Sequence, residues 1–361
     1  MKILHIHPTM RSGGIEAIIC SLVNEMSINN DVTLCTIFKP EDSDVFYNKL
    51  GDTVQRISLE KGKRGFSLKE IFKIYKLIKR SDYDIVHIHG CFYYYLVSIL
   101  LLHNKVNFFY TVHSNAYMEN VSWDKYLVGI KRLFFKKKYM IPITISPVSQ
   151  KSFYELYQCD SHMIYNGIKL PEIKSDSFIS KIKVSETTKV FIHPARITEA
   201  KNQITLCRVF KRLIEEGYDI MLLIYGTTED LNIYNKISPY FSSRIRYMGE
   251  ADDIPTLMSQ SDAFVLPSLW EGLPVTLLEA LSVGCIPICS SVGGIINVIQ
   301  DGQNGILSPT PDECDYYEAL HIYLNMPVTE IIKMKKKAQD SFSEFDIKTT
   351  SQKYLSTYIC P

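Results

Sequence analysis

Short runs of β-branched and aliphatic residues alternate with longer segments of helical period, and this alternation constrains the fold more than any other feature. The predicted strands lie near residues 2–7, 32–37, 84–88 and 107–112, and then near 189–193, 220–225, 262–266 and 285–289. Strands that alternate with helices form parallel sheets with crossover connections. The sequence therefore predicts an α/β protein.

The chain is too long for one hydrophobic core. It has 361 residues, of which 46% are hydrophobic, whereas single cores stop growing near ~250–300 residues. A polar, Ser- and Lys-rich stretch at 172–188 separates the two sets of strands and is the predicted boundary. We expect an N-terminal domain at 1–170 and a C-terminal domain at 171–340. The tail, 329–359, is predicted to be helical, and its last part, 341–361, is expected to return to the N-terminal domain.

The clearest predicted helix spans residues 68–79. Its apolar residues share one face: Leu68, Ile71, Phe72, Tyr75 and Ile78. Ser67 and Glu70 before and inside its first turn have the spacing of a capping box. This pattern is typical of an amphipathic helix.

Composition narrows the possible partners and compartment. A formal net charge of +1 gives no global reason to expect nucleic acid as a partner. The nine cysteines include no C-x-x-C pair, and the closest two, Cys285 and Cys289, have no nearby histidine to complete a metal site. The opening apolar run is too short for a signal peptide, and no stretch reaches the ~18 apolar residues of a membrane span. These features favour a cytoplasmic protein with reduced thiols.

Two glycines, Gly13 and Gly14, follow the first predicted strand and precede an apolar helical run. Backbone amides at such a turn can face a bound anion, and glycine allows close approach of a phosphate. The G-x-G-x-x-G dinucleotide fingerprint is absent. A tight turn without a ligand explains the two glycines equally well.

Two glutamates, Glu271 and Glu279, flank a predicted turn into a helix. Gly272 and Pro274 suit that turn, so the helix is expected to begin at about Val275. Glu271 then lies on the loop and Glu279 one turn into the helix, near the carboxyl edge of a sheet where α/β folds bind ligands. Carboxylates there can accept hydrogen bonds from vicinal hydroxyls of a sugar or ribose. The alternative is a pair of solvated glutamates beside a helix start.

The run from Ser261 to Pro274, continuing through Glu279 to Leu281 and later Gly293 and Gly294, resembles family 4 glycosyltransferases. Further marks in family order are Gly13-Gly14, Thr111-Val112-His113, Ser146, Asn166-Gly167-Ile168, and Arg196 with Lys201. The resemblance implies a GT-B fold, in which two Rossmann-like domains face each other across a cleft. It also implies an acceptor on the N-terminal domain, a donor on the C-terminal domain, retention of anomeric configuration, and neither a cofactor nor a metal.

The resemblance assigns roles to individual residues. Glu279 is expected to bind the ribose hydroxyls, Glu271 the donor sugar, and Arg196 and Lys201 the diphosphate as the leaving group gains charge. His113 is expected to line the cleft and to position the donor sugar near the reacting carbon, although a lone histidine after a strand is more often a core residue. The other donor-binding positions are Gly13 and Gly14, which close over the phosphates, together with Gly226, Gly272, Leu273, Pro274 and Val275.

One position departs from the family pattern. The predicted strand 222–226 ends in Gly226 followed by two threonines, and Thr228 stands where the family often has a second glycine. Thr228 is expected to narrow the donor site slightly. The later pair, Gly293 and Gly294, is expected to let the chain pass close to the donor, although a plain turn would use the same residues.

A basic segment, 131–138, combines five cations with an apolar pair, and an aromatic run occupies 92–95. Cations near anionic lipid contribute ~1 kcal/mol each, and aromatic rings favour the interface. One hypothesis is a peripheral contact with the inner face of the membrane, where a lipid-linked saccharide is met. The alternative is a solvated helix beside buried aromatic residues.

The sequence thus predicts a retaining glycosyltransferase that moves a sugar from a nucleotide-sugar donor, with uridine diphosphate as the leaving group by family habit. The acceptor is expected to be a saccharide or lipid-linked saccharide in cell-surface polysaccharide biosynthesis. Two alternatives share the fold: a nucleotide-sugar 2-epimerase, and a non-catalytic nucleotide-sugar-binding protein. A nicotinamide dehydrogenase is disfavoured because the glycine fingerprint is missing.

Overall fold

The computed structural model describes residues 1–11, 13–41, 44–62, 65–120, 122–175 and 177–360. The chain divides into two compact units: Met1–Lys169 together with the segment from Glu344 onward, and Leu170–Ser343. The change of unit falls at Lys169 and Leu170, just before the polar stretch that the sequence predicts as the boundary. That stretch belongs to the second unit, where the backbone N–H of Lys174 donates to Thr256 Oγ1 at 3.1 Å.

The first unit is built on a seven-stranded sheet. Its strands are β1 (Lys2–His7), β2 (Asp31–Phe38), β3 (Gln55–Lys61), β4 (Ile85–Ile88), β5 (Asn107–Val112), β6 (Ile141–Thr144) and β7 (His162–Met163). They pair in parallel in the order β3-β2-β1-β4-β5-β6-β7. The four predicted strands of this unit are present, and β3, β6 and β7 were not predicted.

Helices cover this sheet. They are α1 (Gly14–Met26), α2 (Val45–Asn48), α3 (Leu68–Arg80), α4 (Leu96–Leu102), α5 (Ala116–Glu119), α6 (Val128–Lys136) and α7 (Pro147–Tyr157), with 3-10 turns at Phe92–Tyr94 and Ser122–Tyr126. Alternate residues of β1 enter two different cores: Leu4 packs with the α3 and α4 residues, and Ile3 packs with those of α1. A sheet buried on both faces explains why its strands are continuously apolar.

Helix α3 forms where the sequence predicts it, but only part of the predicted apolar stripe, Ile71 and Ile78, is buried. Glu70, Ile71, Ile74 and Ile78 are buried, whereas Leu68 is 60% and Phe72 55% exposed. Ser67 is the N-cap residue, yet its hydroxyl donates to the Glu70 carboxylate and caps no backbone N–H. The predicted capping box is therefore replaced by a direct side-chain contact.

The second unit has a six-stranded parallel sheet. Its strands are β8 (Lys189–Pro194), β9 (Ile220–Tyr225), β10 (Ile245–Gly249), β11 (Ala263–Leu266), β12 (Ile286–Ser290) and β13 (Ile306–Ser308), in the order β10-β9-β8-β11-β12-β13. Its helices are α8 (Phe178–Ile182), α9 (Gln203–Glu215), α10 (Leu231–Ile237), α11 (Ile254–Ser259), α12 (Val275–Ser282), α13 (Glu313–Leu324) and α14 (Val328–Ser341). Shorter 3-10 turns span Glu199–Lys201, Ser238–Tyr240, Gly293–Asn297 and Phe342–Phe345. Strands β10 and β13 were not predicted.

The helical tail is shared between the units. Helix α14 belongs to the second unit, and α15 (Ile347–Ile359) belongs to the first. The Ile347 backbone N–H donates to the Ile168 carbonyl at 3.0 Å, and Tyr354 and Tyr358 are buried in the core that contains Ile3. None of the described helices combines the length and the apolar character needed to cross a lipid bilayer.

Both sheets have a topological switch point beside their first strand. Strand order reverses between β1 and β4 in the first unit and between β8 and β11 in the second. Open α/β sheets bind ligands in the crevice at the carboxyl ends of such strands. The fold thus directs attention to the residues that follow these four strands.

Candidate active site

The loops after β8 and β11 bring Lys201 and Glu271 together. The Lys201 ammonium donates to Glu271 Oε1 with a separation of 2.5 Å, and the hydroxyl of Ser268 donates to the same oxygen at 2.6 Å. The side chains of Lys201 and Glu271 are only 19% and 9% exposed. Two donors on one oxygen fix the position of the carboxylate, which suits a group that orients a sugar. Sequence reasoning missed Ser268, although it lies between β11 and the glutamate motif, three residues before Glu271.

The side chain of Arg196 pairs with a different carboxylate from that of Lys201. One guanidinium nitrogen of Arg196 donates to both carboxylate oxygens of Glu229, at 2.9 and 3.2 Å, and both side chains are exposed. Such surface ion pairs contribute little energy, so a bound anion can replace the partner. The main chain of Arg196 is firmly placed, because the Gln203 side chain donates to its carbonyl at 2.9 Å. Glu229 was not identified from the sequence.

Helix α12 begins at Val275 with Pro274 as its N-cap residue, which confirms the predicted helix start. Leu273 and Pro274 are buried, while Gly272 is exposed on the preceding loop. Glu279 lies one turn into α12, where burial raises its pKa to about 7. A desolvated carboxylate gains more from hydroxyl donors than a solvated one, because water no longer competes for its oxygens.

The glycine pair that follows β12 packs against the Glu271 loop. The Gly294 N–H donates to the Gly272 carbonyl at 2.6 Å. Gly293 has a φ of +55°, and an added Cβ would overlap the Glu271 carbonyl. The pair therefore supports the main chain of the loop that carries Glu271.

Gly226 is placed in the same way behind the Arg196 loop. Its φ is +134°, and an added Cβ would overlap the Ala195 carbonyl. The hydroxyl of Thr228 lies 3.1 Å from that of Tyr247, so the threonine that replaces a family glycine is tied to β10. These contacts join the loops after β8 and β9.

In the first unit, Gly13 is the N-cap residue of α1 and Gly14 its first residue. Ser12, in the same predicted loop, lies outside the described residues. The Glu16 carboxylate folds back over Gly13 and would meet an added Cβ there. An anion at this helix start would therefore have to displace Glu16.

His113 is not the lone histidine that the sequence suggests. His89 Nδ1 lies 2.9 Å from His113 Nε2, and His89 Nε2 lies 3.1 Å from His5 Nδ1. Burial lowers the pKa of His113 to about 3 and that of His5 to about 3. The backbone N–H of His113 donates to the Glu119 carboxylate, whose pKa burial raises to about 7. The signal that sequence reasoning missed is a histidine two residues from another histidine on each of two neighbouring strands.

One group among the described residues could hold a metal ion: His5, His87 and His89 place one ring nitrogen each within 4.8 Å of one another. Both nitrogens of His87 already have partners, Tyr358 at 2.5 Å and Thr111 at 2.7 Å. The group contains no carboxylate to balance a buried divalent charge. Hydrogen bonding between the rings explains the arrangement better.

The basic segment 131–138 differs from its predicted surface form. Lys131 is fully buried and pairs with Asp124 at 3.6 Å and with Asn120 at 3.0 Å. Phe134 and Phe135 lie in the core of the first unit, as do Phe92, Tyr94 and Tyr95 of the aromatic run. Lys131 and the phenylalanine pair are thus buried inside the first unit. The exposed part of the segment comprises Arg132, Leu133 and Lys136 to Lys138.

Comparison with known proteins places these observations in a class. The model of Glycosyltransferase Family 4 matches residues 12–171, and that of Glycosyl transferases group 1 matches residues 174–341. The structure of HepE from Anabaena in complex with UDP and glucose superposes with a TM-score of 0.81 at 17% identity over 100% of both chains. A glycosyltransferase from Rickettsia africae gives a TM-score of 0.82 at 17% identity, covering 99% of this chain and 97% of the other. The fold is the GT-B fold, and the chain is a glycosyltransferase.

Two curated relatives are similar to most of this chain. A UDP-Gal:alpha-D-GlcNAc-diphosphoundecaprenol alpha-1,3-galactosyltransferase of Escherichia coli is 29% identical over 70% of this chain and 69% of its own. The capsular polysaccharide biosynthesis glycosyltransferase CapH of Staphylococcus aureus is 26% identical over 81% of this chain and 82% of its own. The chain belongs to glycosyltransferase family 4.

Proposed function

We propose that this chain transfers a sugar from a UDP-sugar, with retention of configuration, to a lipid-linked saccharide during the synthesis of a cell-surface polysaccharide. The observation that carries the proposal is the fixed Lys201–Glu271–Ser268 group at the switch point of the second unit. Glu279 lies on the helix that begins just after this group. The names of the Escherichia coli and Staphylococcus aureus relatives support the donor, the acceptor class and the pathway.

In the proposed reaction the bond between the anomeric carbon and the diphosphate oxygen breaks. The acceptor hydroxyl oxygen attacks that carbon from the same face, and its proton passes to the departing diphosphate. Lys201 and Arg196 stabilise the negative charge that develops on the leaving group. Glu271 holds the sugar and Glu279 the ribose, both as hydrogen-bond acceptors.

Lys201 is electrostatically satisfied by Glu271 in the free protein. A diphosphate brings a second anion to the same ammonium, so the lysine is shared between the two. The Lys201 charge is then directed at the group whose charge grows in the transition state. Arg196 contributes after it leaves Glu229, which costs little because that pair is exposed.

The test is a transfer assay with UDP-galactose, UDP-glucose and their N-acetylamino counterparts. A short-chain polyprenyl diphosphate GlcNAc serves as acceptor, and NMR reads the anomeric configuration of the product. We expect UDP release that depends on acceptor, an α-linked product, and loss of activity in Glu271→Gln. The matched control Glu318→Gln changes an exposed glutamate of the same unit and should keep full activity.

The alternatives give different results in the same assay. Consumption of a donor without acceptor, with a new nucleotide sugar as product, would establish a 2-epimerase. Nucleotide binding without conversion of any donor would favour a non-catalytic binding protein. A β-linked product would contradict retention from these α-linked donors.

The acceptor proposal includes a peripheral contact with anionic lipid through the exposed part of segment 131–138. The contact rests on charge, because the phenylalanine pair of the segment is buried. Flotation with vesicles that contain phosphatidylglycerol should weaken in the Lys136→Glu, Lys137→Glu, Lys138→Glu variant. The control Lys333→Glu, Lys336→Glu, Lys337→Glu makes the same charge change on α14 of the second unit. Equal flotation of both variants and the wild type would refute the contact.

A further inference from the structure

Two adjacent amide side chains, Asn202 and Gln203, contact the loop that carries Arg196 and Lys201. Asn202 is the N-cap residue of α9, and Gln203 is the first residue of that helix. Both follow β8, which lies beside β11 at the switch point of the second unit. We call these two residues the amide pair. They stand directly after the loop whose cations the proposed function assigns to the diphosphate.

The asparagine at the N-cap position of α9 does not cap the helix. Asparagine is favoured at such positions because its side-chain oxygen can accept a backbone N–H of the first turn. Asn202 makes no such bond within α9, whose residues are all described. Its Nδ2 donates instead to the carbonyl oxygens of Pro267, at 3.1 Å, and Pro311, at 3.0 Å. Two long-range hydrogen bonds, and not local capping, explain this asparagine.

The bond to Pro267 joins the two loops of the candidate site. Asn202 follows Lys201, and Pro267 precedes Ser268, so the bond lies one residue away from each of these side chains. A main-chain hydrogen bond of 2.8 Å also joins the two loops. The Asn202 side chain thus fixes the position of Lys201 relative to the loop that carries Glu271.

Gln203 holds the other end of the loop from the interior of the unit. Its side chain is fully buried, and its Nε2 donates to the Arg196 carbonyl at 2.9 Å and lies 3.2 Å from His193 Nε2. Its Oε1 has no hydrogen-bond partner among the described residues. An unpaired buried oxygen is costly, so its persistence needs a reason. The two contacts of the amide nitrogen supply that reason.

His193 determines which way the Gln203 amide points. His193 Nδ1 lies 2.8 Å from the Val265 carbonyl oxygen, which can only accept, so Nδ1 carries the proton. Burial lowers the pKa of His193 to about 4, so the ring is neutral at physiological pH and its Nε2 is an acceptor. The reverse orientation of the amide would place Oε1 against two acceptors. The N–H groups of Gln203 therefore face His193 and Arg196.

We propose that the amide pair consists of positioning residues for the donor diphosphate: Gln203 fixes the start of the loop at Arg196, and Asn202 fixes its end at Lys201. The main chain from which the two cations extend is then in place before the ligand binds. Binding does not have to order the loop, which lowers its entropic cost. The inference rests on the proposed function, and it deepens that function by naming the residues that hold its cations.

The test compares UDP with uridine, which lacks the diphosphate, in NMR titrations of the full-length protein. Misplaced cations weaken only the ligand that has a diphosphate, whereas partial unfolding lowers the binding-competent fraction for both ligands. We expect Asn202→Gly and Gln203→Met each to weaken UDP about tenfold, as for the loss of one hydrogen bond, and to leave the affinity for uridine unchanged. Unchanged UDP affinity in the folded variants, or equal weakening of both ligands, would overturn the proposal.

Asn202→Gly separates the side chain from the backbone. The φ of Asn202 is +53°, in the left-handed region that glycine adopts freely, so this variant removes the two side-chain bonds without adding backbone strain. Asn202 is only half-buried, so this variant still tests the proposal if Gln203→Met does not fold. Circular dichroism checks the fold of each variant.

Asn304→Ala is the matched control. Asn304 is a buried asparagine of the same unit that donates to the Val298 carbonyl at 3.0 Å and to the Ser341 hydroxyl at 3.2 Å. It precedes β13 and therefore lies at the amino edge of the sheet, opposite the candidate site. Asn304→Ala should lower thermal stability without changing the ratio of the UDP and uridine affinities. A tenfold fall in that ratio in Asn304→Ala would show that the effect is not specific to the amide pair and would overturn the proposal.

A double-mutant cycle tests whether Asn202 acts through Lys201. In the Lys201→Met background, Asn202→Gly should cause no further loss of UDP affinity, because the cation that it positions is already absent. A second tenfold loss in that background would contradict the positioning role of Asn202.

The inference and the proposed function fail in different ways. No binding of UDP by the wild type would overturn both. Wild-type binding of UDP that neither Asn202→Gly nor Gln203→Met weakens would overturn this inference alone. The tautomer of His193, read from two-bond proton–nitrogen correlations, needs no ligand: we expect the Nδ1–H form, and an Nε2–H or imidazolium form would remove the orientation of Gln203 on which the inference depends.

Discussion

Replacement of Gly293 by alanine should displace the loop that carries Glu271. Gly293 has a φ of +55°, and a Cβ built there would lie 1.8 Å from the Glu271 carbonyl oxygen. Real Cβ contacts do not fall below 3.0 Å, so the oxygen must retreat by about 1.2 Å. The obstacle is main chain and cannot rotate away. The displacement is carried directly to the Glu271 side chain and its bonds with Lys201 and Ser268.

Two costs follow from this geometry. Alanine in the left-handed region costs roughly 1–2 kcal/mol of folding free energy. A misplacement of about 1 Å at a catalytic group can reduce the rate roughly a hundredfold. We therefore expect a loss of stability of at least this size, because the collision adds to the backbone strain, and a large loss of kcat/KM in Gly293→Ala.

Gly302→Ala separates the two costs. Gly302 has a φ of +69° with no atom within 4 Å of an added Cβ, so alanine there meets the same backbone strain without a collision. Urea unfolding should show a loss of stability from backbone strain alone in Gly302→Ala and a larger loss in Gly293→Ala, and the transfer assay should show loss of activity only in Gly293→Ala. Equal activities in two folded variants would refute the claim that Gly293 positions Glu271.

Two further predictions concern buried charges. Burial raises the pKa of Glu279 from 4.5 to about 7, so the folded chain loses stability as pH rises through about 7, where a desolvated carboxylate must ionise. In urea titrations, Glu279→Gln should then be more stable than the wild type above pH 7 but not below pH 4.5. The wild type should also bind UDP more tightly as pH rises through about 7, because the ionised carboxylate is the better acceptor. Lys131→Met should destabilise the first unit by about 3 kcal/mol, because it leaves the buried carboxylates of Asp124 and Glu119 without their cation, whereas exposed Lys136→Met should change little in the same denaturation experiment.

The sequence predicts the central strands of both sheets because they are buried on both faces. Strands such as β9 are apolar throughout, so the sequence pattern alone predicts them. The missed strands carry weaker signals: β3 and β10 lie at sheet edges with mostly accessible residues, β6 has only four residues including a proline, and β7 and β13 contain two and three residues. Short and edge strands depend on pairing with neighbours that local patterns do not reveal.

Helix α3 shows the limit of periodicity. Its apolar residues at positions 68 and 72 fit a helical stripe, yet the core takes Glu70 and Ile74 instead. Glu70 can be buried because its carboxylate contacts Ser67 and pairs with Lys73 at 3.5 Å. A partner makes a polar residue suitable for the interior, and partners are a property of the fold.

The candidate site likewise has a local part, which the sequence predicts, and long-range contacts, which it does not. The motif from Glu271 to Glu279 is local, so its loop and the helix start at Val275 follow from sequence spacing. One partner of its carboxylate, Ser268, is also local, but the other, Lys201, comes from the loop after β8, 70 residues away. The hydrogen bonds of His89 with His5 and His113 join residues 84 and 24 positions apart, and the basic segment contains a buried Lys131. Long-range pairings of this kind need the sheet order before they can be seen.

We propose that the second unit binds the nucleotide of the donor, with Glu279 as acceptor for its ribose. The most direct measurement is the thermal stability of wild type, Glu279→Gln and the exposed control Glu318→Gln as UDP is titrated without added metal, since a ligand that binds only the native state stabilises it. We expect a rise in Tm with UDP for wild type and Glu318→Gln, and a much smaller rise for Glu279→Gln. No shift of the wild type, or equal shifts in all three proteins, would contradict it.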